Sequence, residues 1–200
     1  MNFTSATVTL KSMSPYSQSY DHGLPMLKGE DKGDYDRRNF MSKAHFNAAG
    51  HLVIPAVAIH QALVAAAKYS KRQIPGQGKA TWTAKFKSGL ILAEDIDTGI
   101  PRSEVGFIDV KCDSKGMTGA QKSTTVTRRF PQVPSWSARF DIWIVDPIIT
   151  EEVFREMVDI AGLFVGIGRW RPEMSGGMNG RFSLAGLEWH DNREFVAKAA

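Results

Sequence analysis

The 200-residue sequence predicts an α+β fold of the ferredoxin-like, RRM-like kind: an antiparallel sheet with two helices on one face and a projecting β-hairpin insertion. Three observations carry this. Runs of period two lie at Thr4–Leu10, Trp136–Ile144 and Arg181–Trp189, and runs of helical period at Pro55–Arg72 and from Thr150 to about Val165. With a polar loop at 12–38 and a hairpin at 95–134 set aside, the order is strand, helix, strand, strand, helix, strand. That order is the split βαβ pattern, and the length fits one domain, 1–200.

In Thr4–Leu10, Ala6, Val8 and Leu10 alternate with Ser5, Thr7 and Thr9, as in a half-buried strand. Ser12–Arg38 is rich in Ser, Gly, Asp and Tyr and broken by Pro15 and Pro25, which predicts a flexible loop. In Pro55–Arg72, Ile59, Ala62, Leu63 and Ala66 recur at helical spacing; Pro55 suits the first turn and Lys68, Lys71 and Arg72 suit the last. Pro75-Gly76 closes that helix, and Thr81–Leu92 reads as one extended segment or two short strands.

Val105–Lys111 and Thr124–Phe130 flank a Gly/Ser/Lys-rich tip, Asp113–Ser123, and together read as a long basic hairpin. Trp136–Ile144 is the clearest strand, with Trp136 and Phe140 assigned to the core. Thr150 is a good N-cap, Glu151 and Glu152 complement the dipole, and Val153, Met157, Ile160, Ala161 and Phe164 form one apolar stripe. Arg181–Trp189 ends the pattern, with a bulge expected at Ala185-Gly186.

A hydrophobic fraction of 42% and a charged fraction of 23% are those of a folded protein, which excludes wholesale disorder. The net charge of +4 is unevenly spread: Lys68, Lys71, Arg72, Lys79, Lys85 and Lys87 follow one another without an intervening acid, and Tyr69, Trp82 and Phe86 are interleaved. The single cysteine, Cys112, excludes an internal disulfide. No charged leader precedes an apolar run and no apolar segment is long enough to span a bilayer, so a cytoplasmic location is expected.

The segment richest in chemistry is Gly166-Ile167-Gly168-Arg169-Trp170-Arg171, which continues through Gly176, Gly177 and Gly180 into Arg181-Phe182. Glycines let backbone approach a ligand, arginines offer planar forks for phosphate, and Trp170 offers a face for stacking. Single-stranded nucleic acid needs a cationic track and flat side chains together. Candidates for the track are Lys85, Lys87, Arg128, Arg129, Arg169, Arg171 and Arg181; candidates for stacking are Trp82, Phe130 and Trp170. Each aromatic also has a core reading, which Trp170 escapes by lying between two arginines in a glycine loop. Arg37-Arg38 with Lys43 and His45 could form a further phosphate contact or a solvated face.

Ile54-Pro55-Ala56-Val57-Ala58-Ile59 opening the first helix, and the glycine-rich loop ending in Gly180-Arg181-Phe182, resemble the RAMP superfamily. Its modified RNA-recognition-motif fold forms the backbone subunits of CRISPR effector complexes, and the hairpin resembles their thumb. Members often have Ser in the turn after Ile-Pro and a basic residue one turn later, where this chain has Ala56 and His60. The chain also resembles small proteins of bacteriophage genomes, and that resemblance implies a single-stranded nucleic-acid binder of replication or recombination and favours DNA; side-by-side assembly as a homo-oligomer along the strand is a further expectation.

Catalytic readings are weaker. The glycine loop lacks the last glycine of a dinucleotide fingerprint and follows a helix, and no phosphate loop is present, so no cofactor is expected. Glu94, Asp95 and Asp97 read as solvated turn carboxylates more readily than as metal ligands. Cys112 has no evident base, whereas His45, His51 and His60 leave room for a ribonuclease. The expectation is a non-enzymatic, sequence-tolerant single-strand binder, DNA favoured over RNA. The alternatives are a structural subunit of a phage or CRISPR-like assembly, or an RNA-binding RAMP-like protein.

Overall fold

The computed structural model describes residues 2–113 and 125–194. Three long strands build the central sheet: β1 (Asn2–Ser12), β8 (Ser137–Ile144) and β9 (Phe182–Glu194). With the two-residue β4 (Leu90–Ile91) at one edge, their order is β4-β8-β1-β9, antiparallel throughout. This is the sheet order of the split βαβ pattern, and it places the first and last strands of the pattern side by side. Thr9 pairs with Gly186 and Leu10 with Leu184, so Ala185 is the extra residue of a bulge, as expected.

Helix α2 (Ala56–Ser70) and helix α4 (Glu151–Ile160) pack together, and α4 lies against β9. Ile59, Leu63 and Ala66 of α2 and Val153, Phe154 and Met157 of α4 share one core with Ala6, Val8 and Leu10 of β1. The Thr150 hydroxyl accepts from the Val153 N–H and caps α4. Pro55 cannot cap α2 in that way. Instead Asp95, distant in sequence, accepts from the Ala56 N–H at 2.8 Å. On the other side of the sheet, Thr7 bonds Asp141 and Arg139 pairs with Glu188, so that surface is polar and self-paired.

α4 does not end where its α-helical turns end. Ala161–Val165 continue as a π-helical turn closed by the Gly166 N–H on the Ala161 carbonyl at 2.7 Å. The wider turn shifts the phase of the apolar stripe. Ala161 and Val165 remain buried, while Phe164, expected in the stripe, is 49% exposed beside Leu163.

Two expectations fail locally. Thr81–Leu92 is not extended: α3 (Trp82–Ser88) is a helix whose Trp82 and Phe86, four apart, share one buried face, and only Leu90–Ile91 pair as a strand. Ser12–Arg38 is not loop throughout. β2 (Tyr16–Ser17) pairs with the hairpin strand β7 (Thr125–Val133), and α1 (Lys32–Asn39), capped by the Asp31 side chain, packs on the same strand. β6 (Gly106–Asp113) completes the hairpin in register from Gly106↔Gln132 to Asp113↔Thr125. The expected tip, from residue 114 onward, lies outside the described residues. β3 (His51–Ile54) and β5 (Ile96–Pro101) form a further ribbon that sequence periodicity does not announce. Among the described residues no helix is long and apolar enough to cross a membrane.

Candidate nucleic-acid interface

The glycine loop is stitched into the body by main-chain bonds. Arg169 N–H donates to Ser17 O at 2.8 Å, Ile167 N–H to Gly180 O at 3.0 Å, and Gly180 N–H to Pro15 O at 2.7 Å. Gly168, at φ 74°, lies so close to Ser17 O and the Tyr16 ring that a Cβ would collide with both. Trp170 holds φ 56°, a left-handed conformation uncommon for a bulky residue. A short helix, α5 (Pro172–Ser175), follows Arg171.

This pinned loop forms one wall of an open groove of about 740 Å³. Pro55, Ala58 and Gln61 at the start of α2 form the opposite wall, and Gln18, Tyr20 and His45 close one side. Pro55 and the glycine loop, from two motifs far apart in sequence, thus line one cleft. Gln18 fixes its floor: its Nε2 donates to Tyr16 Oη at 2.9 Å and Val53 O at 2.7 Å, and its Oε1 accepts from His45 N–H at 2.7 Å. Burial pushes the Tyr16 phenol up, so it stays protonated.

Arg169, Trp170 and Arg171 all line the groove, and Phe130 lies beneath them. The Arg169 guanidinium sits 3.7 Å from the Phe130 ring centroid and 4.4 Å from that of Trp170, and its Nη1 donates to Ser19 Oγ at 3.1 Å. Phe130 meets Trp170 edge to face at 5.2 Å. Phe130 is 3% exposed, so it supports the arginine and offers no open face to a base. Arg171 Nη1 donates to Gly168 O at 3.2 Å, and its Nε lies 3.6 Å from Glu173. Tyr20, half exposed, leans on His45 at 4.6 Å between centroids and offers a second aromatic face.

The other candidates lie elsewhere. Arg128 and Lys43 converge on Asp36, a carboxylate with no exposed surface, and Lys43 Nζ also sits 4.3 Å over Phe130. Burial pushes Asp36 up, but hydrogen bonds from Arg128 and Lys43 outweigh it and leave the carboxyl below its ordinary value. Burial also lowers the Lys43 ammonium, against the pull of Asp36. Arg129 forks onto Asp109 and lies over Phe107, holding that carboxyl low. Arg37 pairs with Asp34, and Arg38 forks onto Glu30, holding its carboxyl at about 2.

Lys85 pairs with Asp146 at 3.1 Å, Lys87 is exposed on α3, and Trp82 is 3% exposed, which removes it as a stacking residue. Arg181 Nε donates to Leu163 O at 3.0 Å, in the middle of the π turn. Sequence reading missed Tyr16, Gln18, Tyr20 and Asp36. These belong to a polar stretch that is placed by β2 pairing and α1 packing on β7, and local composition carries no signal of either.

The remaining chemical candidates have structural partners. Asp97 accepts from His51, Asn47 and the Gly99 N–H, and Asp95 caps α2. No cluster of metal-ligating side chains occurs among the described residues. His60 lies apart from the groove, in a shallow cleft with Asp95 and Ile91.

No protein-family model matches the chain. No curated protein matches it either. Among solved structures it is similar to a chain in the cryo-EM structure of the Type III-B Cmr-beta bound to cognate target RNA. The TM-score is 0.50 at 13% identity over 95% of this chain and 61% of that one, so the chain spans about three fifths of that neighbour's length. It is also similar to the crystal structure of Cmr6 from Pyrococcus furiosus, with TM-score 0.47 and 13% identity over 92% of this chain and 100% of that one. The strand order β4-β8-β1-β9 and the helix pair give the chain a ferredoxin-like fold, and it shares that fold with a chain of the Type III-B Cmr-beta structure.

Proposed function

We propose that the protein binds single-stranded nucleic acid in the groove between α2 and the glycine loop, takes RNA in preference to DNA, and does so without cleaving it, as one subunit of a larger assembly. The observation that carries this reading is Arg169, held between Phe130 and Trp170 at the groove wall with Arg171 two residues on. Backbone phosphate meets the arginines, and bases meet Trp170 and Tyr20. The shared fold of a chain in an RNA-bound Type III-B structure supports RNA over the DNA that the phage resemblance implied, and supports an assembly role. A cytoplasmic protein fits this role. His51 is engaged by Asp97 and His60 lies outside the groove, which leaves His45, at the groove's side, as the histidine a hydrolytic reading would have to use.

The test is fluorescence anisotropy with labelled single-stranded RNA, single-stranded DNA and duplex DNA across a salt series. Salt-sensitive binding, tightest for single-stranded RNA, is expected. Equal or tighter binding of DNA would overturn the RNA preference, and no binding at low salt would overturn the whole reading. Incubation of labelled RNA in EDTA should leave it intact; cleavage that His45→Ala abolishes would establish a nuclease.

A further inference from the structure

The groove does not account for the aromatic surface just beyond it. Tyr69, near the end of α2, and Phe164, on the π turn, stack at 5.3 Å between centroids with their planes 15° apart. They are 58% and 49% exposed, and Leu163 beside them is 42% exposed. Large apolar side chains that cluster on a surface mark an interaction site. Each ring shields one face of the other, which leaves the outer faces open, the arrangement a base needs for stacking.

The ledge is continuous with the groove. Gln61 and Val165 line the groove; Phe164 is the next residue in the chain, and Tyr69 follows Gln61 by two turns on α2. At 1.5 Å per residue that separation is about 12 Å. It equals roughly three to four nucleotides at the stacked spacing of about 3.4 Å per strand position. Two lysines flank Tyr69 in the chain, one residue before it and two after. Lys68 and Lys71 are exposed and take no carboxylate partner among the described residues, whereas Arg72 pairs with Glu156.

We infer that Tyr69 and Phe164 form a second base-stacking platform that receives the single strand as it leaves the groove, with Lys68 and Lys71 beside its phosphates. This rests on the nucleic-acid reading of the groove. The π turn builds the platform by rotating Phe164 out of the core.

The experiment compares binding of a short oligouridine of about four nucleotides with a longer one of about twelve, both within the usual range of single-strand sites. The wild-type protein should bind the longer probe more tightly. Tyr69→Ala with Phe164→Ala should weaken the longer probe about tenfold or more and leave the shorter unchanged, whereas Arg169→Ala should weaken both. Tyr69→Leu with Phe164→Leu keeps an apolar surface without rings, guards against misfolding, and should show the same selective loss. Wild-type-like binding by the leucine variant would overturn the platform, as would equal affinity for the two probes while the groove variant still loses both. Self-association by light scattering that the leucine variant abolishes, with the longer probe unaffected, would make the ledge a protein contact and overturn the inference. No binding of either probe to wild type would overturn both the groove reading and the platform.

Discussion

The arginines of the hairpin and those of the glycine loop are the same residue type in similar basic sequence, yet they sit in different surroundings. Arg128 closes on the buried Asp36 beside Lys43, and Arg129 forks onto Asp109. Arg169 and Arg171 line an open groove, where Arg169 rests on rings and a serine hydroxyl. Arg128 holds the hairpin to α1 and Arg129 ties the two hairpin strands together; Arg169 and Arg171 border the groove proposed to take the ligand. Basic side chains of one type are thus placed differently by what packs around them: a buried carboxylate ninety-two residues away closes on Arg128, whereas two rings and a serine hydroxyl hold Arg169 at an open groove.

The sharpest way to break this contrast is to remove Asp36. Asp36→Asn leaves Lys43 buried without its counter-charge and should cost about 3 kcal/mol of stability, read as a fall in Tm or in the denaturant midpoint. A loss below about 1 kcal/mol would show that the cluster is solvated. Gly168→Ala forces a Cβ into Ser17 O and the Tyr16 ring at positive φ, so it should cost about 1–3 kcal/mol and weaken RNA binding, because it displaces the loop. An alanine variant with wild-type stability would contradict the pinned loop.

Arg169→Ala with Arg171→Ala should leave Tm within a few degrees of wild type while weakening RNA binding about tenfold or more. The salt slope should become shallower by about 1.4, as expected for two lost phosphate contacts on a single strand. Unaltered affinity in the folded double variant would remove the loop from the site. Acidity probes the other region. Asp36 has a folded pKa below its unfolded value of 3.8, so its contribution is complete above that value and is lost as pH falls through the lower folded one. Acid unfolding monitored by circular dichroism should therefore show a step below pH 3.8 that Asp36→Asn lacks. The smallest effect belongs to Arg129→Ala, which removes a partly exposed pair and should cost about 1 kcal/mol with little change in affinity.

The sequence carries the sheet well, because alternation in β1 and β8 and the stripe of α4 report burial directly: Ala6, Val8, Leu10, Val153 and Met157 are all interior. It carries the glycine loop as well, since positive-φ glycines and a Trp between arginines leave a local mark. It misleads at Trp82 and Phe86, where a short helix with two buried aromatics resembles a basic, aromatic binding strand. It is silent on Tyr16, Gln18 and Asp36: Tyr16 pairs with Val133, Asp36 bonds Arg128 ninety-two residues away, and Gln18 is fixed by Val53 and His45, all too far for a local pattern to register. Phe164 shows a subtler failure: one π turn changes the helical phase, and an apolar periodicity assigned at 3.6 residues per turn then points the wrong way.

The capping of α2 by Asp95 links the groove wall to a remote segment of the chain. The first turn of that helix is complete only once the stretch leading into β5 has docked, so α2 cannot finish its N-terminal end by local folding alone. In hydrogen exchange, the Ala56 amide should therefore open together with the Asp95 segment as one cooperative unit rather than fray as an ordinary helix end. Asp95→Ala should speed exchange at the start of α2 while leaving the middle of the helix protected.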